Sequence, residues 1–320
     1  MRIMRNARST QHGQPKVRRS RRALATPRAG AGLGLRSYAK PMNAFPPAEQ
    51  PVSFRDPPVM EVAFALQFAT GVIDLELLGE IARRAKTTFP RREQQPPLPP
   101  MTEDFGLAPA MPQFIFQTGQ ALPRTWFMTE DGAELIQVQP DRLGYNWRRE
   151  HLHERPYPRY GGLRDDLIKL VLPAADKVAA SSSAARINMV ELTYVNQLSA
   201  QDARKGDPHP PLTDFLRPVG RFQGEFLSEP EDARLQARWR IPGDAGDPIG
   251  RLYVGAEPAF LHDQTPIYQL ALTARLLAGH AEPAATIPLF DLAHNWIVRG
   301  FKDLTTTKMQ SVWGLDGETA

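Results

Sequence analysis

Met189-Val190-Glu191-Leu192-Thr193-Tyr194-Val195-Asn196 alternates with period two, so Val190, Leu192 and Tyr194 point one way and Glu191 and Thr193 the other. An echo, Val59-Met60-Glu61-Val62-Ala63-Phe64, stands 130 residues earlier and puts Glu61 where the later stretch has Glu191. Each reads as a half-buried strand with a glutamate on its polar face. The repetition predicts one supersecondary unit used twice, and the order of elements around each copy bears on that expectation.

Around the first copy, Pro57-Pro58 imposes an extended lead-in. The strand runs from Val59 to Phe68, and Asp74 caps a helix with Leu75, Leu78, Ile81, Ala82 and Ala85 as its apolar stripe, ending before Pro90. Seven prolines between 90 and 112 argue against regular structure there and mark a long loop of the kind that carries function. Four strands are predicted next, Gln113–Thr118, Thr125–Glu130, Ala133–Gln139 and Arg142–Arg148, with Asp131-Gly132 and Pro140-Asp141 as turns. A helix after Pro158, kinked at Pro173, carries Leu163, Leu167, Leu170, Val171 and Ala174 on one face.

The second copy starts with Ile187–Leu198, has only a short helical piece near Thr213–Leu216, and continues as strands at Arg221–Leu227, Ala233–Ile241, Gly250–Val254 and Ile267–Leu277. Pro288 opens a last helix, in which the 130-residue offset carries the first helix's apolar face onto Ala293, Ile297, Gly300, Phe301 and Leu304. The expected fold is therefore α+β: two similar strand-helix-four strands-helix halves, 52–180 and 185–314, forming antiparallel sheet with helices packed on one face, and a short tail at 315–320.

Residues 1–48 stand apart. Eleven Lys and Arg and no acid occupy the first 40 positions, leaving 28 basic against 35 acidic residues, a net −7, for the remainder. This segment has no apolar period and is expected to be a disordered basic tail. It reads foremost as an over-extended start with translation beginning at Met42, and otherwise as a plain solvated tail, a targeting peptide or a nucleic-acid-binding arm. The absence of cysteine excludes disulfides and thiolate metal sites and fits a cytoplasmic protein, and no apolar run is long enough for a membrane helix.

Sorting the strands by alternation places Arg142, Asn146, Arg148, Glu61, Glu191, Thr193, Arg234, Arg238, Arg240 and Arg275 on the face away from the helices. Trp147, Tyr194 and Trp239 fall on the core side, which argues against stacking of bases on the polar face. A polar face is also what an ordinary half-wet antiparallel sheet looks like. Six arginines against two glutamates on an otherwise acidic body nevertheless suit the recognition of carboxylate or phosphate.

Other constellations are thinner. His151 and His153 flank Leu152 at a spacing compatible with metal ligation or with two exposed histidines beside a turn. Asp291 and His294 lie three apart in the last helix, as a local contact or as a catalytic pair. Glu61 and Glu191 make an acid–base pair if their carboxylates converge, and otherwise pair with the neighbouring arginines. No phosphate-binding loop, dinucleotide fingerprint, nucleophile elbow or zinc-protease motif is present, so no cofactor is predicted.

Several stretches taken together resemble an uncharacterised, sporadically distributed prokaryotic protein family. The landmarks are Phe54 with Pro57-Pro58-Val59 and Glu61-Val62, then Asn146-Trp147-Arg148 with Tyr157-Pro158, then Glu191-Leu192-Thr193-Tyr194 with Asn196, and finally His294, Phe301 and Trp313-Gly314. The resemblance spans about Val52 to Gly314 and leaves the basic tail outside. It implies no particular activity, and patchy occurrence implies an accessory trait of the defence or toxin–antitoxin kind. The order of elements is also similar to the duplicated saddle of TATA-box-binding proteins, an analogy of fold only. The apolar wedges that kink DNA in that saddle have no counterpart on the Arg/Gln/Glu/Asn face.

The expected function is a non-catalytic binding protein that offers this face, or the Pro-rich loop, to another protein or a small anionic ligand. The alternatives are a nucleic-acid-binding protein using the same arginines, and a hydrolase-like enzyme using Glu61, Glu191 and His294.

Overall fold

In the computed structural model, the stretch around Glu191 lies at the middle of one continuous sheet. The structure describes residues 52–69, 71–106, 122–149, 156–182, 185–200, 202–220, 225–227 and 230–315. Within them, the elements are β1 (Val59–Phe68), α1 (Leu75–Ala85), β2 (Arg91–Gln95), β3 (Arg124–Met128), β4 (Glu134–Gln139), β5 (Arg142–Arg148), α2 (Arg159–Leu170), α3 (Leu172–Ser181), β6 (Ile187–Leu198), β7 (Leu235–Pro242), β8 (Pro248–Phe260), β9 (Pro266–Ala281), α4 (Ile287–Leu304) and α5 (Thr307–Val312). Among the described residues the nine strands pair in the order β2-β3-β4-β5-β1-β6-β9-β8-β7, antiparallel throughout. The fold is α+β, and β1 and β6 form the central pair.

Period-two alternation decides which side of the sheet is dry. Val62, Phe64 and Leu66 of β1, Leu143 and Tyr145 of β5, Val190 and Leu192 of β6, and Leu270 and Leu272 of β9 are buried on one side. Each such side chain contributes about 1.5–3 kcal/mol of transfer free energy. The helices cover that side: Phe64 meets Tyr160 of α2 and Phe290 of α4, and Lys177 of α3 pairs with Glu80 of α1. Gly300 lets α4 lie close, since a Cβ there would come within 2.9 Å of Leu252 Cδ2. Asp74 caps α1 as expected, accepting from the Leu77 amide at 2.9 Å. Pro173 divides the predicted kinked helix into α2 and α3.

Several expectations are corrected. Arg91–Gln95 is an edge strand inside the region read as loop; its side chains are polar on both faces and mostly exposed, so no alternation betrays it. Strands β8 and β9 are longer than predicted, and β7 begins at Leu235. Glu225–Leu227 is not in a strand, and the rest of the segment read as Arg221–Leu227 lies outside the described residues, as does the predicted strand Gln113–Thr118. Leu75 is exposed rather than part of the α1 stripe, and Trp239, expected on the core side, is 40% exposed because edge strand β7 extends beyond the helix layer.

Candidate functional site

Register turns the polar side of the sheet into rows of facing residues. One row runs the full width: Glu93, Trp126, Gln137, Gly144, Ala65, Glu191, Arg275, Arg251 and Arg240. The next runs Leu135, Asn146, Ala63, Thr193, Thr273, Tyr253 and Arg238. A third begins Arg148, Glu61, Val195 and Ala271. The middle of this surface is built from small residues, Ala63, Ala65 and Gly144, so it sinks into a cavity of about 210 Å³ rimmed by long polar side chains. Gly144 is required by the close approach of β1: a Cβ there would stand 2.9 Å from the Phe64 carbonyl oxygen.

Three facing arginines, Arg275, Arg251 and Arg240, repel one another across neighbouring strands. Glu191 answers from one side, accepting from Arg275 Nε at 2.8 Å and Nη2 at 2.5 Å. Glu103 answers from above, its side chain fully buried between Arg251, Arg275 and the Tyr253 hydroxyl, which donates to it at 2.6 Å. Glu103 belongs to the Pro-rich segment, whose residues 96–106 lie as a strap across the polar side.

Proline removes the amide protons a strap would need to pair as a strand. Two glutamine side chains act as substitute peptides instead. Gln139 accepts from the Leu98 amide and donates to its carbonyl, both at 3.1 Å, while Gln67 accepts from the Met101 amide at 2.5 Å and donates to its carbonyl at 2.9 Å. Arg142 Nη2 donates to the Pro99 carbonyl at 2.8 Å. The described part of the Pro-rich loop is thus bound to the protein's own sheet, with residues 96–100 still exposed; residues 107–112 lie outside the described residues.

The predicted site residues fall into three groups. Arg142, Asn146, Arg148, Glu191, Thr193 and Arg275 lie together on the polar side with Glu61. They are not all exposed, however: Arg142 and Asn146 are buried under the strap and by their neighbours. Asn146 donates to Glu61 at 2.5 Å, Arg148 Nε reaches the same carboxylate at 3.4 Å, and Thr193 and Thr273 share a hydroxyl hydrogen bond of 2.8 Å. Arg234, Arg238 and Arg240 are exposed on and beside edge strand β7, where charges discourage pairing with another sheet. His151 and His153 lie outside the described residues, among which no cluster of three or more His, Asp or Glu is placed to hold a metal.

Glu61 and Glu191 line the same cavity but do not converge. Glu191 faces Ala65, four residues along β1 from Glu61, and the two carboxylates turn apart, Glu61 towards Arg148 of β5 and Glu191 towards Arg275 of β9. Paired carboxylates of glycosidases work at roughly 5–9.5 Å, and here each is engaged by its own arginine. The third member of that scheme, His294, is on the other side of the sheet, bound through Nδ1 to the Tyr194 hydroxyl at 3.1 Å. Asp291 does not turn to His294 either; it accepts from the Tyr160 hydroxyl at 2.7 Å and from Arg164.

The alternation missed part of the cavity. Arg124, at the first position of β3, stands over Trp126 with Arg148, and Gln137 accepts from Arg124 at 3.2 Å and from the Trp126 indole at 2.9 Å. Trp126 and Tyr253, on strands whose faces the alternation did not sort, therefore lie on the polar side, where arginines cover their rings. Burial, and after it the repulsion of Arg142 and Arg148, pulls the Arg124 guanidinium below its ordinary range. Burial does the same to Arg142. Among the described residues neither makes an ion pair with a carboxylate, and the Nε of each is buried without an acceptor.

No protein-family model and no curated protein matches the chain in comparisons of sequence.

Proposed function

We propose that the chain is a non-catalytic binding protein that takes a small anionic ligand into the cavity on the polar side of its sheet. One observation carries this: Arg124 and Arg142 share that cavity with buried Nε groups and, among the described residues, no ion-paired carboxylate, Asp141 and Glu191 attracting Arg142 without pairing with it, whereas Glu61 and Glu191 are already matched by Arg148 and Arg275. A carboxylate or phosphate between the first two would relieve their mutual repulsion and fill their donors with charge-assisted hydrogen bonds. The resemblance in landmark residues supports an accessory prokaryotic role, of the defence or toxin–antitoxin kind, in the cytoplasm.

Internal duplication also belongs to this proposal. The central register supports it: Ala63 faces Thr193, its counterpart at the 130-residue offset, and the flanking pairs Glu61 with Val195 and Ala65 with Glu191 exchange under the same offset. The strand order outward from the centre, β5-β4-β3 on one side and β9-β8-β7 on the other, runs in the same sense, as in the saddle of TATA-box-binding proteins.

Titration calorimetry of the full chain with inorganic phosphate, pyrophosphate and succinate tests the reading. At least one is expected to bind, with affinity reduced about tenfold or more in Arg124→Gln, since a charged hydrogen bond contributes about 1.5–3 kcal/mol. Binding untouched by Arg124→Gln and Arg142→Gln, or no binding at all, overturns it. Binding of an oligonucleotide with a steep salt dependence, lost in Arg238→Ala and Arg240→Ala, would transfer the function to the nucleic-acid alternative.

A further inference from the structure

A larger cavity, about 530 Å³, lies on the helix side of the sheet, and its floor is the other face of β6. Its walls are mainly aromatic and aliphatic, with Phe54, Ile297 and Phe301 among them. Eight of the landmark positions of the resemblance line it, including Tyr157, Tyr194, Asn196 and His294.

The polar groups in this cavity are held in a defined state. The Tyr157 hydroxyl donates to the Tyr194 oxygen at 3.1 Å, which directs the Tyr194 proton to His294 Nδ1 at 3.1 Å. Burial lowers the His294 pKa to about 4, so the imidazole is neutral, and with Nδ1 accepting, its proton resides on Nε2. The ring is fixed by stacking on Tyr160, with centroids 3.9 Å apart, and Tyr160 is itself anchored on Asp291. Asn196 donates from Nδ2 to the Leu270 carbonyl, which leaves Oδ1 as an acceptor. At the start of α2, Arg159 adopts φ 66°, a conformation unfavourable for a side-chain-bearing residue, and its guanidinium bridges the Phe54 and Arg55 carbonyls at 2.7 Å each. That clamp fixes the leading segment as a wall.

We infer that this cavity is a second binding site, for a flat aromatic molecule whose polar edge offers an acceptor to His294 Nε2–H and a donor to Asn196 Oδ1. The volume falls in the range of small-molecule sites, and an apolar enclosure with a few convergent polar atoms is their usual form. The interior favours a neutral head: His294 is neutral, the tyrosines carry no charge, and the guanidinium of Arg159, which also lines the wall, is already committed to the Phe54 and Arg55 carbonyls, so an ion there would be poorly paired. A primary aromatic amide meets each requirement: planar, neutral, with carbonyl and amino group side by side. The inference does not rest on the anion site, from which the sheet separates it.

Ligand-observed NMR on the full chain with benzamide, nicotinamide and the non-planar control cyclohexanecarboxamide decides the matter. The aromatic amides are expected to bind and the control to bind about tenfold more weakly, with the His294 ring ¹⁵N signals moving on titration. Val298→Trp, which fills the cavity without touching the hydrogen-bond chain, is expected to abolish binding while leaving the unfolding temperature near that of the parent. His294→Phe should weaken binding about tenfold. No binding of either aromatic amide, equal binding of all three probes, or binding that survives Val298→Trp overturns the assignment.

Discussion

Strand β6 lines two cavities with alternate residues. Glu191, Thr193 and Val195 face the polar one, and Tyr194 and Asn196 the aromatic one. The same backbone, one residue out of step, thus serves two ways of placing polar chemistry away from bulk water. On the polar side charges are kept and matched, arginine against glutamate, with a surplus of cation at Arg124 and Arg142. On the helix side the central polar chain is uncharged, ending in a neutral imidazole, and the guanidinium of Arg159 in the wall is held by backbone carbonyls rather than by a carboxylate. Matched charges tolerate partial exposure and depend on pairing, whereas a neutral network depends on staying unprotonated.

The largest break in this comparison is expected at Glu103. Glu103→Ala leaves Arg251 and Arg275 facing each other with only Glu191 to offset them, and leaves the strap held to β8 through the contacts of Arg251 with the Asp104 carbonyl and the Phe105 ring. Removing one partner of a buried pair costs about 3–5 kcal/mol. Denaturant unfolding should register a loss of that size, together with faster proteolysis in residues 96–106. A loss under about 1 kcal/mol would mean that the arginines re-solvate freely and that the strap is not held by charge.

A somewhat smaller effect is expected from acid on the helix side. The His294 pKa is about 4 in the folded chain, against 6.5 for an ordinary histidine, because burial outweighs the attraction of nearby Asp291. Between those values the unfolded chain binds the extra proton, so stability rises with pH. The contribution of neutral His294 is complete above about pH 6.5, falls progressively down to about pH 4, and changes no further below, a span of about 3 kcal/mol. Asp291, Arg164 and the hydroxyls of Tyr160 and Tyr194 are the groups facing the ring's surroundings. Subtracting the unfolding free energies of His294→Gln from those of the parent, pH by pH, isolates this slope from that of the carboxylates. A flat difference would show that His294 titrates alike in both states.

How far the sequence could be read follows from where each signal resides. β1 and β6 were legible because one face of each is more deeply buried than the other, and β5, though buried on both faces, because its apolar and polar residues still alternate. Edge strand β2 was not, since its side chains are polar on both faces and its order comes from ladder bonds to β3. Glu61, Arg148, Glu191 and Arg275 were placed on one face correctly, but which carboxylate meets which arginine is set by register. Arg251 and Tyr253 lay within a predicted strand, and alternation applied there would have found them. Nothing local marks Glu103, whose partner Arg251 is 148 residues away. The spacing of Asp291 and His294 suggested a contact within their helix, yet each turns to a different neighbouring element, a choice made by packing.

The finest test uses adjacent residues of β6. Tyr194→Phe removes an acceptor for Tyr157 and a donor to His294, with an expected cost of about 1–2 kcal/mol. Thr193→Val removes the partner of the Thr273 hydroxyl, which can turn to water, at a cost of about 0.5–1 kcal/mol. Neighbours in sequence usually couple, but these side chains leave the backbone on opposite faces and share no partner. The double variant should therefore be additive to within about 0.5 kcal/mol. The binding readouts should separate as well: Thr193→Val shifting the affinity for anions alone, Tyr194→Phe that for aromatic amides alone. A coupling above about 1 kcal/mol, or one substitution moving both affinities, would mean that the strand transmits between the cavities, and the two sites would then have to be treated as one linked system.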